Sequence, residues 1–240
     1  MGTNTRRLVE SFRRWKRRRI YDRKLRSRKR AKDRARRSTA NDLRLGKHYR
    51  HAVRSQVKYP VKPVVLPADL RGVQPGKLPA YLLKPIRPYG QLHPLAAQAW
   101  EAMRKAAHAD GIRPFKPTST ADTYRSLEVQ ERGFLARYTT APSATTSVRT
   151  YKGQKYYLKP GMAAMATPGS SLHNLALAVD VSEASGDRLK WMLANCDWYG
   201  FCWELQSEAW HIRYYVGDKV PLKVQQFVSL HADRDLRSAD

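Results

Sequence analysis

Four side chains in the second half of the chain have the types and the spacing needed for metal-assisted hydrolysis. His173 and Asp180 lie at the two ends of a short apolar run, and Glu208 lies three residues before His211. Two imidazoles and one carboxylate are a ligand set of catalytic zinc, which keeps a fourth position for water. Glu208 is then available as the base that takes a proton from that water. The set predicts one metal site at His173, Asp180 and His211, with Glu208 as a catalytic residue.

The apolar run LALAVDV (175–181) has the composition of a buried strand. Side chains alternate between the two faces of a strand, so Ala176, Ala178 and Asp180 should share one face. Small side chains beside a carboxylate leave space for a ligand, and a carboxylate on a core strand needs a partner such as a cation or a metal. We expect His173 to reach the same space from just before the strand.

A second strand is predicted over EAWHIRYYV (208–216). Strict alternation along this strand would place Glu208 and His211 on opposite faces. If both side chains serve one site, Glu208 must therefore lie in a turn or a bulge before the strand.

The rest of the pattern mixes helices and strands without the regular alternation of a parallel βαβ protein. Helices are predicted over 95–111, from Ser126 onwards and over 187–196, and a hairpin is predicted around 148–158. This mixture indicates an α+β fold.

Several ordered motifs resemble one enzyme family. The stretch SLHNLALAVD (171–180) followed by EAWH (208–211) is similar to the signature S-x-H-x-x-G-x-A-x-D … E-x-W-H of the zinc D-alanyl-D-alanine carboxypeptidases. That group includes cell-wall L,D-carboxypeptidases and peptidoglycan endopeptidases of bacteria and bacteriophages. Upstream, YRSLEVQ (124–130) matches the family's Y-R-S-x-x-x-Q. The resemblance covers about residues 90–217 and implies the hedgehog-type fold, with a small antiparallel sheet and flanking helices.

The resemblance also implies a role for each motif residue. His173, Asp180 and His211 would bind one Zn²⁺ ion, and Glu208 would be the general base and acid. Arg125 would stabilise the oxyanion on the scissile carbonyl, which needs a donor that is always charged. The substrate peptide or its terminal carboxylate would be contacted by Ser171 and Gln130, and the expected substrate-binding set is completed by Tyr124 and Trp210.

Two positions depart from the family pattern. The family's glycine is Ala176 here, and by strand alternation its methyl would point toward the site, so we expect narrowed substrate space rather than loss of the metal. Thr123 precedes the Tyr-Arg-Ser motif where the family usually has glycine.

Charge and composition divide the chain into an Arg-rich basic arm (1–59), a Pro-rich connector (60–94), a zinc peptidase domain (95–220) and a C-terminal tail (221–240). The chain has 46 Lys and Arg against 20 Asp and Glu, a net charge of +26. Residues 1–60 hold 23 basic and 4 acidic residues, a net charge of +19. Residues 61–240 hold 23 basic and 16 acidic residues, a net charge of +7. Eight of the 14 prolines lie in the connector and exclude a long helix there.

The basic arm has a helix-favouring composition over 6–37, so we expect a helix that forms on docking. Its Arg content suits phosphate contacts. The expected partner is anionic: nucleic acid, a phosphate-rich wall polymer, an anionic membrane surface or an acidic protein. The arm would otherwise anchor the chain in a larger assembly such as a virion.

Several classes of protein are excluded by the sequence. No apolar run approaches the ~20 residues of a transmembrane helix. No apolar segment follows the basic N-terminus, so we expect no standard secretory signal. Cys196 and Cys202 are too few for a disulfide framework; two reduced cysteines are favoured, with a single local disulfide left open.

Together with the metal-ligand pattern, the resemblance implies a zinc peptidase that hydrolyses peptidoglycan stem peptides, as a D,D-carboxypeptidase or an endopeptidase. We expect a phage product, carried in the virion or released at lysis, acting on the bacterial cell wall. A cytoplasmic host enzyme that recycles wall peptides is less favoured. The alternative from another class is a structural or nucleic-acid-binding virion component whose peptidase-like domain is not catalytic.

Overall fold

The computed structural model describes residues 58–145 and 147–237, with side chains described as far as residue 230. The basic arm up to residue 57, including the helix predicted over 6–37, lies outside the described residues. From Lys58 onwards the chain forms one compact unit. Within the described part, no helix is both long enough and apolar enough to span a membrane.

Four α-helices occur in the described part of the chain: α1 (Pro94–Ala109), α2 (Leu127–Arg137), α3 (Gly186–Asn195) and α4 (Leu222–Arg237). The first three confirm the predicted helices. Ser126 caps α2, because its side chain accepts a hydrogen bond from the backbone N–H of Val129. The fourth helix lies in the segment expected as a tail, where it packs Val224 into the core.

Short strands form three antiparallel sheets in the described residues. They are β1 (Lys84–Pro85) with β2 (Gln91–Leu92), then β3 (Tyr138–Thr139), β4 (Val148–Tyr151) and β5 (Gln154–Leu158), then β6 (Ala178–Asp180), β7 (Phe201–Trp203) and β8 (His211–Tyr214). Strands β4 and β5 are the predicted hairpin, which turns at Lys152 and Gly153 with positive φ angles of 50° and 76°. The α+β fold with small antiparallel sheets is therefore confirmed.

The third sheet has β8 in its centre, between β6 and β7. Asp180 pairs with His211 across β6 and β8, and Trp203 pairs with Ile212 across β7 and β8. Residues adjacent in an antiparallel pair lie about 5 Å apart. This register therefore brings together two side chains that are far apart in the sequence.

The Pro-rich segment 60–94, predicted as a connector, packs against the domain and contributes side chains to the core. Five of its apolar side chains are buried in the same hydrophobic core as residues of α1 and the third sheet: Leu70, Leu78, Leu82, Ile86 and Leu92. Isolated bridges also join Val61 to Trp203 and Val65 to Val216. Prolines prevent a helix here, but the segment gains burial and backbone hydrogen bonds by wrapping around the domain.

Replacing Leu82 with alanine should therefore lower the free energy of unfolding by about 2–5 kcal/mol, as expected for a fully buried leucine. Urea unfolding of the full chain measures this change. The neighbouring Tyr81 is 72% exposed, so Tyr81→Ala is the control and should shift stability by no more than about 0.5 kcal/mol. Equal effects at the two positions would show that segment 60–94 is not part of the folded core.

Candidate active site

Three separate pieces of chain bring the predicted metal ligands together. His173 lies on a one-turn 3₁₀ helix (Leu172–Leu175), capped by the Ser171 side chain, which accepts a hydrogen bond from the His173 N–H. Asp180 ends β6 and His211 begins β8, directly opposite each other in the register. The 3₁₀ turn places His173 beside this pair, as the sequence predicts.

The potential ligand atoms of His173, Asp180 and His211 all lie within 4.8 Å of one another. His173 Nε2 is 3.4 Å from Asp180 Oδ1, and His211 Nδ1 is 2.7 Å from the same oxygen. Ligand atoms bound to a tetrahedral zinc at 2.0–2.1 Å are about 3.3 Å apart. The three side chains therefore have the chemistry and nearly the spacing of a zinc site.

The other ring nitrogen of each histidine has a protein partner. His173 Nδ1 lies 2.8 Å from the carbonyl oxygen of Thr123, and His211 Nε2 lies 2.9 Å from Glu204 Oε2. Metal-bound histidines usually donate their second N–H to an acceptor of this kind, which fixes the ring orientation. Thr123, which departs from the family pattern, thus supports His173 through its backbone carbonyl oxygen and not through its side chain.

Sequence reasoning missed Glu204. No motif contains it, and its place depends on the pairing of β7 with β8. Because Trp203 pairs with Ile212, the next residue along β7 lies beside His211. Only a known register would have revealed this contact.

The two anionic side chains around His211 shape its protonation. Burial disfavours the charged imidazolium, but hydrogen bonds to Asp180 and Glu204 outweigh burial and raise the pKa of His211 to about 9. Burial likewise opposes ionisation of Asp180, yet hydrogen bonds from His173 and His211 hold its pKa well below the usual range. The site therefore favours a cation beside Asp180.

Glu208 lies in a turn before β8, which confirms the expected break in the strand. The Glu208 N–H donates to the Leu205 carbonyl oxygen at 3.4 Å, and the His211 N–H donates to the Glu208 carbonyl oxygen at 3.2 Å. Burial raises the pKa of Glu208; the positive charge of His211 opposes this, and the negative charges of Asp180 and Glu204 add to it. A carboxylate with a raised pKa is suited to proton transfer.

A cleft of about 240 Å³ opens over these groups. Its lining includes all three expected ligands, Glu204, Glu208, Arg125, Arg137, Ser171 and Trp210. Arg125 is held by hydrogen bonds to the Ala121 carbonyl oxygen and to Gln130 Oε1, both at 2.9 Å. A fixed guanidinium thus shares one cleft with the carboxylates.

The expected substrate-binding residues divide into two groups. Ser171, Gln130 and Trp210 line the cleft, and about half of Trp210 is exposed. Gln130 is fully buried, and its Nε2 donates to the Ala166 carbonyl oxygen at 2.8 Å while its Oε1 accepts from Arg125. The Tyr124 hydroxyl accepts a hydrogen bond from the Leu78 N–H. Gln130 thus lines the cleft with its side chain already bonded to the protein, whereas Tyr124 is not among the lining residues.

Ala176 does not lie on a strand, contrary to the alternation argument. It follows the 3₁₀ turn with φ +56°, in the left-handed region that favours glycine, and its side chain is buried in the hydrophobic core. The expectation that its methyl narrows the substrate space is therefore wrong. The glycine of the family pattern matches this backbone requirement, which alanine meets at a conformational cost.

One family model matches the part of the chain that contains the site. Residues 90–218 match the family model VanY, D-alanyl-D-alanine carboxypeptidase. No curated protein gives a significant match to the chain.

Three solved structures show weak similarity to the chain. A mutant vancomycin resistance D,D-pentapeptidase VanY from a VanB-type cassette, in complex with Zn(II), is 24% identical, with 58% of this chain and 83% of that chain covered and a TM-score of 0.39. VanYB in complex with D-alanine-D-alanine is 21% identical, with 63% of this chain and 85% of that chain covered and a TM-score of 0.42. The LdcB LD-carboxypeptidase is 22% identical, with 52% of this chain and 64% of that chain covered and a TM-score of 0.36.

The family match spans more than half of the 240 residues and contains every predicted metal ligand. The chain therefore belongs to the VanY family of D-alanyl-D-alanine carboxypeptidases.

Proposed function

We propose that this chain is a zinc-dependent carboxypeptidase that removes a terminal D-amino acid from peptidoglycan stem peptides. The observation that carries the proposal is the convergence of His173, Asp180 and His211 in one cleft with Glu208. Two imidazole nitrogens and a carboxylate oxygen suit zinc and leave a position free for water. A zinc ion held there would supply a Lewis acid and an acidified water molecule.

The chain's own residues would carry out the remaining chemistry. Glu208 accepts the proton of the attacking water and then delivers it to the leaving amine. Arg125 donates hydrogen bonds to the oxygen that becomes negative as the carbonyl is attacked. Gln130 and the Ala121 carbonyl hold its guanidinium in place, so little reorientation is needed during the reaction.

A second arginine in the cleft, Arg137, favours a carboxypeptidase over an endopeptidase. Arg137 Nη1 lies 2.9 Å from Met165 Sδ, a weak acceptor, and no ion pair joins Arg137 to an acid in the described part of the chain. Such a guanidinium suits a substrate that ends in a free carboxylate.

The proposal is tested by incubating the full chain and zinc with a stem pentapeptide that ends in D-Ala-D-Ala. We expect mass spectrometry to show release of one D-alanine, its loss after chelation and its recovery when zinc is added back. A peptide ending in L-Ala-L-Ala is the control and should be cleaved far more slowly. Internal cleavage would indicate an endopeptidase, and zinc binding without any cleavage would favour a non-catalytic role.

The anchoring role of the basic arm and the virion location stay predictions from the sequence. They rest on the net charge of +19 in residues 1–60.

A further inference from the structure

Glu204 is the acidic residue at the site to which no motif assigns a role. We propose that Glu204 is a positioning residue that holds the His211 ring so that Nδ1 faces Asp180 and the metal position. The inference rests on the proposed zinc-dependent function and concerns how strongly the chain binds the ion.

The contact with Glu204 determines which nitrogen of His211 would keep its proton when a metal binds. Glu204 Oε2 lies 2.9 Å from His211 Nε2, at hydrogen-bond distance. A carboxylate only accepts, so Nε2 must be the donor. Without a metal, Nδ1 faces the Asp180 carboxylate at 2.7 Å and donates to it as well. A metal ion bound at Nδ1 would replace that proton, and the bond to Glu204 would keep the remaining proton on Nε2.

Glu204 is well placed to keep this role because its other oxygen is held as well. Oε1 lies 3.3 Å from Arg213 Nη1, and Arg213 Nη2 donates to the Lys62 carbonyl oxygen at 2.9 Å. Arg213 lies two residues after His211 on β8, so both side chains leave the same face of the strand. The carboxylate therefore bridges two neighbours on one face.

The loop that follows Glu204 is braced by the start of the described chain. Gln206 accepts a hydrogen bond from the Tyr59 N–H at 2.9 Å and donates to the Tyr59 carbonyl oxygen at 2.7 Å. The Tyr59 ring also stacks on Trp203, with centroids 5.3 Å apart. Residues on both sides of Glu204 are thus fixed, which limits the orientations open to its side chain.

The two histidines differ in the strength of this support. His173 is supported by a neutral carbonyl oxygen, whereas His211 is supported by a carboxylate. Hydrogen bonds to ionised acceptors are about twice as strong as neutral ones. We therefore expect the His211 side of the site to depend most on its outer partner.

The test compares zinc affinity in the full chain, measured by competition with a chromophoric chelator. Glu204→Ala should weaken zinc binding by about 10–100-fold, the usual effect of losing an outer partner of a ligand. Glu204→Gln should lose less, because its amide oxygen can accept the same hydrogen bond. Glu131→Gln is the matched control: Glu131 pairs with Lys152 away from the cleft, so affinity should not change.

A second readout separates positioning from general loss of stability. Long-range ¹H–¹⁵N spectra of the zinc-loaded chain should show the His211 proton on Nε2 in wild type and reduced occupancy of that tautomer in Glu204→Ala. If Glu204→Ala does not fold, Glu204→Gln decides, since it must bind zinc more weakly than Glu131→Gln.

Zinc affinity within twofold of wild type in the folded Glu204 variants, with the tautomer unchanged, would overturn the inference and leave the proposed function standing. Failure of the wild-type chain itself to bind zinc would count against the proposed function.

Discussion

Replacing Glu208 with glutamine should lower kcat for a D-Ala-D-Ala peptide by about 10²–10⁴-fold, the contribution typical of general acid–base catalysis. Glutamine keeps the size of the side chain but cannot accept a proton from water. Glu208 lies outside the His173–Asp180–His211 group, so zinc affinity should stay close to that of wild type. Steady-state kinetics at saturating zinc, together with the zinc content of the purified variant, measure the two effects separately.

The control for this variant is Glu183→Gln. Glu183 is an exposed acid that pairs with Arg188 outside the cleft, so its loss should leave kcat unchanged. If Glu208→Gln kept more than a tenth of the wild-type activity, Glu208 would not be the base. Glu204, the other glutamate in the cleft lining, would then be the next residue to examine.

Asp180→Asn should weaken zinc binding by more than about 100-fold, beyond the range seen when only an outer partner is lost. Asp180 is the single oxygen ligand of the proposed set, and it faces both histidine nitrogens. An amide in its place is a weaker ligand and provides no negative charge to balance the ion. Chelator competition measures the change, and hydrolysis at limiting zinc should fall in parallel.

Asp122→Asn is the matched control for zinc affinity, because Asp122 lines the same cleft but pairs with Arg125 at 3.6 Å. It should bind zinc as wild type does. Equal losses in the two variants would mean that the overall negative charge of the cleft, and not a ligand at Asp180, determines binding.

The sequence predicts well those structural elements that depend only on neighbouring residues. The cap at Ser126 and the Lys152–Gly153 turn each depend on one or two residues, and both occur where the sequence predicts them. The turn at Glu208 follows from a simple conflict between strand alternation and a shared site. The His173–Asp180–His211 group is likewise found where the motifs predict it.

What the sequence does not predict depends on contacts between distant segments. The leucines of segment 60–94 show no regular period, since each is buried by a different neighbour. The position of Glu204 beside His211 follows only from the register of β7 and β8. The position of Ala176 follows only from the 3₁₀ turn that precedes β6. Helix α4 is different, because the spacing of Val224, Phe227 and Val228 is itself a local signal of a helix.

If zinc binds as proposed, the pairing of β6 with β8 would make the stability of the fold depend on the supply of the metal. Asp180 and His211 are 31 residues apart and meet only when these strands pair in the native register, so the unfolded chain has no assembled site for zinc. A ligand that binds only the native state stabilises it by mass action, by about 2.7 kcal/mol at a free concentration one hundred times its Kd. The resistance of this chain to unfolding and to proteolysis would then vary with the zinc concentration around it, and scarcity of the metal would shorten its lifetime as well as stop its chemistry.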